Sequence, residues 1–214
     1  MYQAVIFDFD FTLGDSAKGI IQCANAALAA VGCAAAEEDA IRKTIGLSIR
    51  ETYARLSGRS EPEEAEVFAR VFREMADQVM TASTELYPGT AELLQALHAR
   101  ACKVGIVTTK FHYRIEEILR KFSLTDAVDV IVGSEDVKAV KPAPDGLLLA
   151  LEQMGVSREA ALYVGDNAVD AQAARNAGVS FAAVLTGTTD KATFQQYPHV
   201  CIAEDLSGLK AMMA

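Results

Sequence analysis

The sequence predicts an α/β fold, a parallel β-sheet covered by helices on both faces, with an all-helical segment inserted directly after the first strand. Three observations carry this. Short continuous apolar runs recur: AVIF at 4–7, KVGIVT at 103–108, VDVIVG at 128–133 and ALYVG at 161–165. Runs without polar alternation mark strands buried on both faces. From residue 87 onward such runs alternate with helical periodicities, the pattern of successive βα units. Between residues 15 and 84 there is no convincing strand, and the apolar residues fall at helical spacing instead.

Taken in order, the first strand is AVIF. Within the insert, Ile20, Ala24, Ala27, Leu28 and Val31 share one helical face that stops at Gly32, and Ile41 and Ile45 belong to a second, short helix. Ile49, Tyr53 and Leu56 mark a third. Phe68, Phe72, Met75 and Val79 line a long fourth helix opened by EPEEAE, where Pro62 and Glu63 suit a helix N-terminus. The chain returns through the turn-like triplet Tyr87-Pro88-Gly89. The division this predicts is an α/β core of residues 1–14 and 85–214 and a helical domain of residues 15–84. In the core, Leu93, Leu94 and Leu97 space a helix before the second strand, and Ile115, Ile118, Leu119 and Phe122 one after it. Helices over 147–154 and 168–177 end at Gly155 and Gly178, residues that favour a helix stop. FAAVLTG at 181–187 and HVCIA at 199–203 complete the strands of a Rossmann-like sheet.

With 214 residues, 51% hydrophobic and 23% charged, the chain has the composition of a soluble globular protein of one large domain or one domain with an insertion. A net charge of −9 argues against nucleic acid or an anionic membrane as a partner. No apolar run approaches the roughly 20 residues that span a bilayer. The N-terminus lacks the basic and apolar segments of a signal peptide. Cys23, Cys33, Cys102 and Cys201 are scattered, without CxxC or zinc-ligand spacing, and are expected to be buried free thiols in a reducing cytosol. The expected setting is cytoplasmic, as a monomer or weak homodimer.

The chemistry is concentrated where the strands end. In FDFDFTLGDS, Asp8 and Asp10 share one face of an extended chain. Two such charges in an apolar setting repel and lose hydration, so either the strand ends before Asp10 and the pair is solvated or a cation sits between the two. Thr108, Thr109 and Lys110 follow the next strand, Lys141 lies in the loop after VDVIVGSED, and Asp166 and Asp170 follow ALYVG in GDNAVD. In an open parallel sheet ligands bind at this edge. Singly, each residue has a dull explanation as a helix cap, a solvated lysine or a strand-end threonine. Together they suit phosphoryl transfer to a carboxylate nucleophile, with Mg²⁺ between the attacking carboxylate and the phosphate. Asp8 is then the nucleophile and a metal ligand together with Asp166, with Asp170 close by. Asp10 serves as acid on the leaving group and base for water, Thr108 as a donor to a phosphoryl oxygen, and Lys141 as the balancing charge.

These motifs, in this order and over nearly the whole chain, resemble the haloacid dehalogenase superfamily of phosphohydrolases. DFDFTLGDS resembles its first motif, VTTK the second, Lys141 in KPAPDGLL the third and GDNAVDAQAARNAG the fourth. The helical insert resembles the small cap of the phosphoglycolate phosphatase and β-phosphoglucomutase-like branch, and LYPGTAELLQAL and IVTTK are most similar to phosphoglycolate phosphatases. The resemblance implies a Mg²⁺ site built from Asp8, Asp10, Asp166 and Asp170, a small phosphorylated metabolite as substrate, and contacts to it from Thr108, Thr109 and Lys141. It also makes RKTIGLSIR (42–50) similar to the family's specificity loop, with Lys43 or Arg50 facing a substrate anion, and puts Asp15 and Ser16 at the hinge, the latter as a helix cap. Two positions depart from the family pattern: Phe11 stands where Gly is usual and Thr109 where the phosphoglycolate phosphatases have Asn. A sugar-phosphate mutase of the same family and a receiver-like signalling domain are the alternatives. The length, the insert and Asp10 stand against the receiver.

Overall fold

The computed structural model describes residues 2–213 and divides into two compact units, Met1–Asp15 with Leu86–Ala214, and Ser16–Glu85. In chain order the elements are β1 (Ala4–Phe7), β2 (Gly14–Asp15), α1 (Ala17–Ala30), α2 (Glu38–Arg42), α3 (Ile49–Ser57), α4 (Pro62–Ser83), β3 (Glu85–Leu86), α5 (Thr90–Ala99), β4 (Lys103–Val107), α6 (His112–Lys121), β5 (Val130–Val132), α7 (Asp145–Met154), β6 (Ala161–Gly165), α8 (Ala168–Ala177), β7 (Ser180–Val184), α9 (Lys191–Phe194), β8 (Cys201–Ala203) and α10 (Leu206–Met213).

The first unit is built on a six-stranded parallel sheet in the order β5-β4-β1-β6-β7-β8. Successive side chains of a strand point to opposite faces, and here both faces are covered. Val5 and Phe7 join Leu94, Ile106, Ile118, Leu162 and Leu209 in one apolar cluster. Ala4 and Ile6 join Leu147, Ala174, Tyr163 and Phe181 in the other. That double burial is why the strands read as unbroken apolar runs. Because β1 pairs with β4 on one side and β6 on the other, the residues that follow these three strands end as neighbours.

β1 and β6 match their apolar runs residue for residue, while β4, β5, β7 and β8 fall short of theirs at one or both ends. β5 starts at Val130; just before it, the Asp129 N–H donates to the Val104 carbonyl (2.8 Å) while its carboxylate accepts the Val104 N–H (2.8 Å) and pairs with Lys103 (3.1 Å). β7 stops at Val184, leaving 185–187 as a loop, and β8 begins only at Cys201. α9 and α10 bury Phe194, Leu206 and Leu209 in segments too short for a clear helical period. Of the four cysteines only Cys23 is buried, the others being half-buried, and none forms a disulfide. Among the described residues no helix is long and apolar enough to cross a membrane.

The second unit is helical throughout α1–α4. α4 packs along α1 and against α3, around Ala27, Leu28, Tyr53, Ala65 and Phe68. The sequence Ser48-x-x-Glu51 forms a reciprocal capping box at the start of α3. Ser16 occupies the N-cap position of α1 without capping it: its hydroxyl bonds to that of Thr84 instead (2.9 Å). The Phe68 ring is fully buried and lies 5.4 Å from that of Tyr53. Removing so large a buried ring leaves a cavity that the surrounding helices cannot close. Phe68→Ala is therefore expected to lower the stability of the helical unit by about 3–5 kcal/mol, read by urea unfolding of the full chain followed by far-UV circular dichroism.

Candidate active site

Three strand ends set the geometry. Asp8 continues β1 by one residue, its N–H donating to the Val164 carbonyl (2.9 Å), and Asp166 stands one residue beyond β6. Thr108 continues β4, its N–H donating to the Val132 carbonyl (3.1 Å). Asp170 sits in the first turn of α8, where its Oδ2 accepts the Asn167 N–H (3.0 Å) while Asn167 Oδ1 accepts the Val169 N–H (3.2 Å). Lys141 enters from the loop before α7, and its side chain is buried.

The fold brings one carboxylate oxygen each from Asp8, Asp166 and Asp170 within 4.8 Å of one another, all buried. Lys141 Nζ lies 2.8 Å from Asp8 Oδ1 and 2.6 Å from Asp170 Oδ1. Thr12 Oγ1 donates to Asp166 Oδ1 (2.9 Å). Burial pushes the Asp8 carboxyl up from 3.8 to about 7, with Asp170 and Asp10 adding to the effect and Lys141 opposing it. Asp166 is raised well above the usual carboxylate range, first by burial and then by Asp170 and Asp8. Burial alone would lower the Lys141 ammonium, but Asp170 and Asp8 outweigh it and the group is raised. Three carboxylates against one ammonium leave an excess of negative charge on hard oxygen donors, the donor chemistry that suits a small divalent cation. The loop after β7 runs close against this group: a Cβ at Gly187 would fall on Asp166 Oδ2.

The remaining candidates take other places. The Asp10 carboxylate lies outside the three-acid group. Its Oδ2 pairs with Lys110 Nζ (2.7 Å), while its Oδ1 is buried with no hydrogen-bond partner among the described residues. Thr108 Oγ1 accepts the Lys110 N–H (3.2 Å), which leaves the hydroxyl proton to be donated elsewhere, and Thr109 is half-buried beside it. In the helical unit Lys43 is the C-cap residue of α2 and Arg50 stands in the first turn of α3; both are exposed. Phe11 adopts a left-handed conformation, φ 59°, so the turn keeps the shape that glycine takes without strain and Thr12 still reaches Asp166. The carbonyl of Phe11 accepts the Thr186 hydroxyl.

Two partners were not singled out by sequence reasoning. Lys110 stands at the strand end, but nothing in VTTK signals that it pairs with Asp10. In the sequence Tyr163 is one residue of an apolar strand, yet its hydroxyl meets Lys141 and Asp170 (3.2 and 3.0 Å). The available signal was a polar-tipped aromatic within ALYVG. Burial, followed by Asp170 and Asp8, raises the Tyr163 phenol well above its ordinary value. A cavity of about 850 Å³ opens at the opposite edge of the sheet, where the strands begin, lined by Val5, Leu93, Leu97, Arg100 and Leu162 among others. It contains none of the acids.

The family model for haloacid dehalogenase-like hydrolases matches residues 5–184. The chain belongs to that family. Among curated relatives of this hydrolase, the phosphoglycolate phosphatase of Escherichia coli K12 is 32% identical over 82% of this chain and 78% of its own. The phosphoglycolate phosphatase of Rhodobacter capsulatus is 30% identical over 100% of this chain and 97% of its own. Among solved structures, a haloacid dehalogenase-like hydrolase from Bacteroides fragilis superposes with a TM-score of 0.94 at 39% identity, covering 98% of this chain and 100% of that one. In this member of the family, then, the acids predicted at the strand ends are gathered at one edge of the fold that the relatives share.

The raised Asp8 carboxyl has a consequence for the metal-free protein. The folded state holds the Asp8 proton more tightly than the unfolded chain does, so Asp8 subtracts from stability progressively as pH rises from 3.8 to about 7 and fully above that. Asp8→Asn removes this contribution. In EDTA, the melting temperature of the variant relative to wild type should climb between pH 5 and pH 8, as read by thermal unfolding across that range.

Proposed function

We propose that this hydrolase is a Mg²⁺-dependent phosphatase that removes phosphate from a small phosphorylated metabolite, of the phosphoglycolate kind, through a phosphoryl group carried on Asp8. The observation that carries the reading is the buried Asp8 carboxylate, tied by one oxygen to Lys141 and grouped with Asp166 and Asp170 at the carboxyl edge of the sheet. The names of the curated relatives support phosphate-ester hydrolysis and the substrate class. Asp8, Asp166 and Asp170 would hold the cation. When bound, Mg²⁺ screens the attacking carboxylate from the charge of the phosphoryl group.

The chain's own groups divide the remaining work. Asp8 attacks phosphorus, forming the Asp8–phosphorus bond as the bond to the leaving oxygen breaks, and Asp10, as the general acid, passes a proton to that oxygen. Asp10 then takes a proton from the water that attacks phosphorus, the bond to Asp8 breaks, and free phosphate departs. Thr108 donates its hydroxyl proton to a phosphoryl oxygen, and Thr109 lies beside it as a further contact. Lys141 offsets the charge that grows on the equatorial oxygens. Lys43 and Arg50 are assigned to the non-reacting anion of the substrate, as bidentate or point-charge partners of a carboxylate.

Phosphate release from 2-phosphoglycolate and a panel of phosphorylated sugars, with Mg²⁺ or with EDTA, tests this reading. Wild type should release phosphate only with Mg²⁺, and Asp8→Asn should lose about a thousandfold or more in kcat, as removal of a nucleophile does. Isomerised sugar phosphate in place of free phosphate would make the enzyme a mutase. Release undiminished in Asp8→Asn would remove Asp8 from the mechanism.

A further inference from the structure

We infer that Tyr163 is a positioning residue of the acidic site, its hydroxyl orienting the Lys141 ammonium and the Asp170 carboxylate that flank Asp8. An ammonium group has three protons to place, and Lys141 has three acceptors in reach: Asp8 Oδ1 at 2.8 Å, Asp170 Oδ1 at 2.6 Å and Tyr163 Oη at 3.2 Å. The first two are the carboxylates it must neutralise. The third is neutral, and it fixes the rotation of the ammonium about its last bond so that the other two protons point at those carboxylates.

The phenol's own proton completes the arrangement. Asp170 Oδ1 lies at 3.0 Å, the Val107 carbonyl at 3.3 Å, and the nearer acceptor is the one already bound to Lys141. Asp170 thus receives Lys141 and Tyr163 on one oxygen and the Asn167 N–H on the other, so its orientation is settled from three directions. The aromatic ring is held in turn. It is fully buried in β6 and packs against Phe181, with ring centroids 6.3 Å apart. The hydroxyl is therefore delivered from a rigid strand rather than from a loop. A phenylalanine here would fill the same space and leave one Lys141 proton buried without an acceptor, a costly state for a charged donor.

Outer groups that orient ligands of a metal typically change its affinity or the activity it supports by about 10- to 100-fold when removed. The experiment compares full-length wild type, Tyr163→Phe and Tyr163→Leu. Mg²⁺ binding is measured by calorimetry without substrate, turnover of 2-phosphoglycolate is followed separately, and thermal unfolding reports the fold. The expected result is a Tyr163→Phe protein that melts within a few degrees of wild type, binds Mg²⁺ about tenfold or more weakly, and loses kcat with KM unchanged. Tyr163→Leu should show the same loss of Mg²⁺ affinity plus a lower melting temperature, because it removes the ring as well. Wild-type Mg²⁺ affinity in Tyr163→Phe, or failure of that variant to fold, would overturn the inference and reduce Tyr163 to a packing residue. The inference rests on the phosphatase reading only for its turnover arm: if wild type hydrolyses no phosphate ester, that reading fails, and the Mg²⁺ comparison still decides the role of Tyr163.

Discussion

One ammonium group stands among carboxylates that would otherwise drive one another apart. Asp8, Asp166 and Asp170 offer oxygens within 4.8 Å of each other in a buried setting, and Lys141 bonds two of the three directly. Burial and mutual repulsion raise Asp8 and Asp166, so each holds a proton more tightly than an exposed carboxyl does. Such a group of acids is poorly suited to structural duty, since an apolar set of the same volume would be stabler. It is well suited to a divalent cation, for which the same field is an attraction, and a cation held there would offset the charge of an anionic substrate. The local excess of acid is thus the physical signature from which the functional reading follows.

The sheet makes this concentration of charge possible. β1 lies between β4 and β6, so the residues after three strands far apart in sequence converge. Two backbone details complete the convergence. Phe11 turns the chain through a left-handed conformation, which costs a side-chain-bearing residue about 1–2 kcal/mol and brings Thr12 to Asp166. At Gly187 the loop after β7 passes so close to the Asp166 carboxylate that any side chain would displace it. Both details spend local freedom on the shape of the acidic edge.

Much of this was legible beforehand. Strands covered on both faces print as unbroken apolar runs, so β1, β4 and β6 could be read directly, and the carboxylates after them followed from the rule that ligands meet the carboxyl edge. The helices over 147–154 and 168–177 ended where Gly155 and Gly178 said they would. What stayed hidden depends on strand order and side-chain direction, which no local pattern carries. The run VDVIVG extends beyond β5 because Val128 bonds back to Thr125 and the Asp129 side chain turns to Val104 and Lys103 at the start of β4. The pairing of Lys110 with Asp10 and the hydroxyl of Tyr163 against Lys141 join residues 100 or 22 positions apart. Ser16 looked like a helix cap and instead bonds to Thr84, a partner 68 residues away.

The proposed reaction requires Asp8 to carry the phosphoryl group. The direct measurement is to quench the enzyme during turnover of a phosphate ester, reduce with borohydride, which converts an aspartyl phosphate to homoserine, and map the peptides by mass spectrometry. Homoserine is expected at position 8. Homoserine at position 10, 166 or 170, or an unmodified acidic edge under conditions of rapid turnover, would contradict it.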